Sequence, residues 1–467
     1  MSVKFDSLDI WLWLSVVLLA GLYFAAVFFR PLLPIDETRY MAVAWEMFLR
    51  GDWFAPLTVN FNPYHHKPPL LFWLINMSWS LFDTSRWAGT VPVFISSLAF
   101  IFLSKRLAEL LFPHDGRVGK SVPILIIGSL PFLVYSLVIM FDVTLAVFVL
   151  LTLLLLVLFA KSGEVKYVFL MGLSMGFGVL TKGPVAWLYV IFPIITVKLW
   201  TPVEVKTFKW YAGCTCAVLL SVIPVLIWLV PVLSHSSDEF AYWLVWEQTF
   251  GRINGSFKSS HARPLLFYIP FVFLFFIPWI FFPSFWKSMK KIRKYYAMEW
   301  GVRFLILWIA PVLVSFSLIK GKQPHYLVPV LPGFIVLAAC LIKADVKKTA
   351  YTALFMFAVI FCGQWIASKD FLNKYDLKPI ANFLQNYKDV EWAYLGKYEG
   401  ELSFAGKFDK KIDDRQEFYT IDSWFGDNPG GIAIIRYRDI KDVEKYDMLF
   451  DMAYRGKRMG IFKPHKK

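Results

Sequence analysis

The sequence predicts a multi-pass α-helical membrane protein that ends in a small water-facing α/β domain. Three observations carry this. Of 467 residues, 58% are hydrophobic and 19% aromatic, and the mean hydropathy of +0.54 describes a chain solvated mostly by lipid. Long uncharged runs recur through the first 368 residues. After about residue 369 charges are interspersed among short apolar runs instead.

The first run, residues 8 to 29, carries one acid at its edge and then no charge. At roughly 1.5 Å per residue it is long enough to cross hydrocarbon. It lacks the basic start, short apolar core and small-residue cleavage site of a secretory signal, so it reads as a retained signal anchor. Ten further runs lie near 86–104, 121–139, 143–160, 167–181, 183–199, 210–233, 264–286, 302–319, 326–342 and 349–367, for eleven spans in all, with about 11 to 13 as the expected range. Two apolar pieces are too short or too polar to cross. Residues 38–50 suit an interfacial helix lying flat, and Leu70 to Phe82, directly after Pro68-Pro69, packs along the same surface.

Lysine and arginine cluster in alternate loops, which the positive-inside rule places in the cytoplasm. These are Lys105, Arg106, Arg117 and Lys120; Lys198, Lys206 and Lys209; Lys287 to Lys294; and Lys343, Lys347 and Lys348. Loops 30–85 and 234–263, and everything beyond the last span, then face outward. The chain divides into a membrane domain, 1–368, and an extracytoplasmic domain, 369–467. Within the latter, Trp392 to Leu395 and Ile432 to Tyr437 read as strands, and 377–387 and 439–447 as helices.

The net charge of +15 is largely spent in the short inner loops, and neither an RNA-binding motif nor a long basic tail is present, which argues against nucleic acid. Cys214, Cys216, Cys340 and Cys362 fall within or at the ends of apolar runs and read as small core residues, not disulfides or metal ligands.

The outer loops hold the chemistry. Ile35-Asp36-Glu37-Thr38-Arg39-Tyr40 and Pro63-Tyr64-His65-His66-Lys67-Pro68-Pro69 put acids, imidazoles and cations directly after a span. The acids can serve as a base or bind a cation, and Lys67 among aromatics and prolines can grip a phosphate. Lys182, Lys320 and Lys322 sit at predicted outer ends against the positive-inside trend, where they suit phosphate ligands. Arg252 and Arg263 flank the second outer loop and can hold phosphate oxygens bidentately. For each there is a plainer role: an N-cap for Asp36 ahead of 38–50 and for Asp142 ahead of its helix, a snorkelling lysine for Lys67, headgroup anchors for the arginines, an aromatic belt for Tyr64 and Tyr326.

Seven motifs in order, D-E-T-R-Y at 36–40, G-D-W at 51–53, K-P-P at 67–69, T-K-G-P at 181–184, W-E-Q-T-F-G-R at 246–252, H-A-R-P at 261–264 and P-H-Y-L-V-P at 324–329, carry a family resemblance. Over roughly residues 8 to 345 the chain resembles the GT-C glycosyltransferases that use polyprenyl-phosphate sugars. The resemblance is to the lipid A 4-amino-4-deoxy-L-arabinose transferase branch, with protein O-mannosyltransferases as more distant relatives.

The resemblance implies a GT-C fold in a bacterial inner membrane, with the site and the C-terminal domain on the periplasmic side. It implies transfer of a sugar from an undecaprenyl-phosphate donor to lipid A or another envelope acceptor, with inversion. Asp36 matches the candidate catalytic carboxylate and Asp142 a second cavity acid. Lys67 matches a lysine on the donor phosphate, and Tyr64 and Tyr326 occupy positions near it; Glu37 reads as structural. Arg39 joins Lys182, Lys320 and Lys322 as a contact for acceptor or phosphate. No cofactor is required by this chemistry. His66 departs from the pattern, which has Glu before this lysine; together with His261, and with His65 or Asp36 completing a set, it would make a donor set suited to zinc.

The acceptor decides what Asp36 must do. A phosphate monoester, with a second pKa of about 6, is already nucleophilic at neutral pH. A sugar or Ser/Thr hydroxyl needs its proton removed during attack. Lipid A phosphate is the first expectation and a protein hydroxyl or another envelope glycan the second. A polyprenol or lipid transporter would need cation clusters at both ends of a pathway, and a scaffold acting through the tail would leave Asp36 and Lys67 without a task.

Overall fold

The computed structural model describes residues 9–251, 263–342 and 346–465. Eight helices among them are long and apolar enough to cross a bilayer: Ile10–Phe28, Arg86–Leu111, Phe141–Ser162, Val165–Lys182, Thr207–Ser234, Trp300–Leu318, Pro324–Ile342 and Lys347–Ser368. The remaining three expected runs are helical but interrupted, each at proline. Run 121–139 breaks at extended Ser129, ahead of Leu130-Pro131, into Gly116–Gly128 and Leu130–Tyr135. Run 183–199 breaks after Pro193 into Val185–Ile195 and Val197–Trp200. Run 264–286, with Pro264, Pro270, Pro278 and Pro283, becomes a series of short helical pieces. Proline removes the donor and blocks the preceding turn, so hydropathy alone overstates how far such helices run.

The chain forms two compact units, each discontinuous in sequence. The first comprises 1–24, 65–74 and 90–362, and the second 25–64, 75–89 and 363–467.

In the first unit the Phe141–Ser162 and Val165–Lys182 helices form an antiparallel hairpin. It turns at Gly163, whose φ of 66° suits glycine, while its N–H caps Phe159 O. Thr152 Oγ1 bonds Ser174 Oγ at 3.0 Å across the pair. The Thr207–Ser234 helix lies against Gly172 and Gly176, where an added Cβ would stand 2.6 Å from Leu220 Cβ and 2.7 Å from Ser221 O. Small residues at such crossings let backbones approach where lipid offers no hydrophobic driving force. Lys161, at one end of the hairpin, bonds Leu110 O and lies over Trp300; Asp142 and Lys182 lie at the other end.

The second unit holds the Asp36–Arg50 helix, a two-residue hairpin pairing β1 (Thr58–Val59) with β2 (Asn62–Pro63), and a five-stranded sheet. The sheet strands are β3 (Trp392–Leu395), β4 (Asp413–Arg415), β5 (Ile432–Tyr437), β6 (Tyr446–Tyr454) and β7 (Lys457–Pro464), in the order β4-β3-β5-β7-β6. β3 runs parallel to β4 and β5, and β7 antiparallel to β5 and β6. Alternate residues face opposite layers. Trp392, Tyr394, Ile432 and Ile434 pack with Ile380 and Leu384, and Ala393, Ala433 and Ile435 with Ile421, Trp424 and Phe425.

Both expected strands form, as does the 377–387 helix, as Lys378–Leu384 followed by a 3-10 turn at Gln385–Tyr387. The expected helix at 439–447 does not. Only Ile440–Asp442 is helical, as a 3-10 turn, and β6 begins at Tyr446. β6 is an edge strand, and edge strands keep charges such as Asp447 and Asp451 that hide the period of two. It joins β7 through Arg455-Gly456, both at positive φ, a two-residue turn whose twist matches the strands. The cysteines also need correction. Cys214 and Cys340 are buried, but Cys216 and Cys362 are exposed on the apolar helices that carry them.

Candidate functional site

At the Asp142 end of the first unit, charge is gathered in an apolar setting. Asp142 stands in the first turn of its helix and Lys182 in the last turn of the returning one, where helix dipoles favour an acid and a base respectively. They form an ion pair and are almost completely buried, with side chains 3% and 8% exposed. Asp142 makes no N-cap bond, since the cap position is Met140, so the capping role expected as its plainer alternative is not what holds it. Gly183, at φ 85°, stops the Lys182 helix and its N–H returns to Val179 O.

Lys182 also lies over the Tyr326 ring, 4.6 Å from its centroid, and Tyr189 Oη donates to Tyr326 O at 2.7 Å. Lys67 lies 5.7 Å from the centre of the ring of Phe141, the residue before Asp142, and Lys67 and His325 are near enough to act on the Asp142 carboxylate. Lys67, Asp142, Lys182 and Tyr326 therefore belong to one cluster. His325, given no role from sequence, joins it, and so does Tyr189. The only signal for His325 was its place beside Tyr326; Tyr189 had none.

Arg263, Lys320 and Lys322 form a neighbouring strap. Arg263 N–H donates to Lys320 O at 3.2 Å, and Lys322 Nζ donates to Arg263 O at 3.0 Å. Lys322 is buried and Lys320 exposed. Tyr268 Oη bonds Gln323 O at 3.1 Å, fixing the turn ahead of Pro324. His66 lies beside His65, whose ring faces Trp243 at 5.3 Å. Arg252 and His261 lie outside the described residues. Among the described residues no group of three or more His, Cys, Asp and Glu side chains is placed to hold a metal ion.

The second unit carries Asp36, Arg39 and Tyr64. Asp36 opens the Asp36–Arg50 helix, which ends at Gly51 with φ 67° and its N–H on Met47 O. The cap position is Ile35 and no side chain caps the helix, so Asp36 is not spent as an N-cap. Its Oδ1 accepts from Arg39 Nη2 at 2.6 Å, and Arg39 Nη1 reaches Glu399 Oε2 at 3.1 Å. Burial works against the Arg39 charge, yet Tyr64, Tyr40, Asp36 and Glu399 around it hold its pKa above the ordinary arginine value. Glu37 is structural as expected: it is buried, pairs with Arg30, and accepts the Leu33 N–H at 2.8 Å.

This fold is that of the GT-C membrane glycosyltransferases, and the comparisons with known proteins say what the chain is similar to. The crystal structure of ArnT from Cupriavidus metallidurans bound to undecaprenyl phosphate superposes with a TM-score of 0.78 at 16% identity, covering 98% of each chain. The Archaeoglobus fulgidus oligosaccharyltransferase gives 0.52 at 12% identity, covering 88% of this chain and 65% of that one. Residues 66–228 match the family described as dolichyl-phosphate-mannose-protein mannosyltransferase. In sequence, the undecaprenyl phosphate-alpha-4-amino-4-deoxy-L-arabinose arabinosyl transferase 1 of Pseudomonas fluorescens strain Pf-5 is 28% identical over 301 residues, 63% of this chain and 53% of that protein. The chain thus spans about half the length of the curated relatives it matches. The resemblance to the aminoarabinose transferase branch is borne out in sequence and in fold.

Proposed function

We propose that this protein is a membrane glycosyltransferase that moves an aminoarabinose-like sugar from undecaprenyl phosphate to a phosphate of lipid A on the periplasmic face of the bacterial inner membrane. The observation that carries the reading is the Asp142–Lys182 pair with Lys67 and Tyr326 beside it. A partly buried cluster with more cations than acids, built on a nearly dry ion pair, suits an anionic head group, and the fold and the relatives' names supply the donor class.

In the reaction the bond from the anomeric carbon to the carrier phosphate breaks, and a bond to an acceptor oxygen forms on the opposite face. Undecaprenyl phosphate leaves with the electron pair, and Lys67 offsets the charge that grows on it. Lys182, held by Asp142, adds a second positive charge with its position fixed. With a phosphate monoester as acceptor no proton need be removed, so Asp36 contributes electrostatics to the sugar and positioning, steadied by Arg39. No metal enters this scheme.

The match to protein mannosyltransferases over 66–228 favours one second reading, a Ser/Thr hydroxyl acceptor. There Asp36 would be the base and could not be dispensed with. Mass spectrometry of lipid A and envelope proteins, from cells with and without the chain, separates the two. A pentosamine increment on lipid A phosphate is the expected result. Unchanged lipid A with a glycosylated protein overturns it.

A further inference from the structure

We infer that Glu399, in the C-terminal domain, is a positioning residue for Asp36, acting through Arg39, so that this domain is part of the catalytic apparatus. The inference rests on the proposed transferase reading and adds a residue to it.

Arg39 bridges two carboxylates, Asp36 at 2.6 Å and Glu399 at 3.1 Å, and is itself mostly buried. A guanidinium held by one acid can rotate about that contact, whereas one held by two through separate nitrogens has its plane fixed. Glu399 is fixed in turn. Lys397 Nζ lies 2.7 Å from its other oxygen, and its backbone N–H donates to Glu401 Oε2 at 2.9 Å. Burial pushes the Glu399 carboxyl up, but Lys397 and Arg39 outweigh it and hold it below the usual carboxylate range, so it stays an anion.

The loop presenting Glu399 leaves the C-terminal end of β3, where β4 and β5 diverge on either side. Such a switch point is the usual place for a ligand in a sheet of this type; here another segment of the same unit occupies it. Gly400, at φ 82°, sits so close to the Asp36–Arg50 helix that an added Cβ would meet Ala42 Cβ at 2.6 Å and Val59 Cγ2 at 2.9 Å. Asn60 makes reciprocal 2.8 Å bonds with the Ile412 backbone, and Trp45 Nε1 donates to Phe408 O at 2.8 Å. These contacts hold the domain on the segment that carries Asp36 without Glu399. The ion pair is thus not needed for docking, and its effect is directed at Arg39.

The test is steady-state kinetics of the full-length protein in detergent, with undecaprenyl-phosphate-linked aminoarabinose and lipid A. Glu399→Gln lowers kcat roughly ten- to a hundredfold with the donor KM within about twofold. Glu399→Asp recovers much of the loss, and Arg39→Lys, which cannot bridge two carboxylates, falls to a similar kcat that a second Glu399→Gln change does not lower further. Wild-type turnover with Glu399→Gln within twofold of it overturns the inference and leaves the transferase reading intact. So does a loss in Glu399→Gln that Glu399→Asp fails to rescue and that follows loss of folded protein. A wild-type chain that transfers no sugar, while binding donor, overturns the reading and the inference with it.

Discussion

Replacing Lys182 by methionine would leave the Asp142 carboxylate nearly solvent-free with its ion-pair partner gone. Breaking a buried pair by removing one member typically costs about 3–5 kcal/mol, because the remaining charge is uncompensated. The expected cost is therefore at least about 3 kcal/mol. That is a change of more than a hundredfold in the ratio of folded to unfolded protein. The assay is equilibrium unfolding in mixed micelles followed by tryptophan fluorescence. Removing both charges with methionine at 182 and leucine at 142 recovers most of the loss, since an apolar pair carries no desolvation cost. The reasoning is refuted if the single variant lies within about 1 kcal/mol of wild type, or if the double variant is destabilised by the sum of the two single changes.

Further outcomes follow from the same geometry. Lys67→Ala lowers kcat by roughly 10² to 10³ with expression intact, read by transfer of labelled sugar. Asp36→Asn retains measurable transfer to lipid A phosphate; complete loss in the same assay favours a hydroxyl acceptor. Gly400→Ala destabilises the second unit through both its positive φ and the Ala42 approach, seen as a lower unfolding midpoint. Burial pushes Lys407, which lies over the Trp45, Trp79 and Phe404 rings, down to about 7. Between that pH and the ordinary lysine value the unfolded chain binds the extra proton, so stability rises with pH across this window. Lys407→Met removes that slope. Extensive EDTA treatment leaves transfer unchanged, whereas activity lost to EDTA and restored by zinc would support a metal held by His66 and His261.

Much of this was readable from the residues because it rests on short-range rules. Apolar length marks a span, and apolar and charged positions mixed at helical spacing over 38–50 mark a helix too short and polar to cross. The motif residues Lys67, Asp142, Lys182 and Tyr326 were all singled out, but that they form one cluster depends on a hairpin returning Lys182 to the level of Asp142. Proline interruptions were visible yet overridden by hydropathy. The charged edge strand β6 was misread because its charges mask alternation, and Cys216 and Cys362 because an apolar run does not say which face meets lipid. Glu399 was beyond sequence: 360 residues separate it from Arg39, and only the docking of the β3 loop brings them together.

The most direct test of the central claim is a single-turnover reaction of the purified protein with undecaprenyl-phosphate-linked aminoarabinose and lipid A, analysed by mass spectrometry beside Lys67→Ala. The account predicts lipid A heavier by one pentosamine on a phosphate, free undecaprenyl phosphate in equal amount, and both products from the variant formed at least about a hundredfold more slowly. Donor bound but returned intact, or equal product from Lys67→Ala, would contradict it.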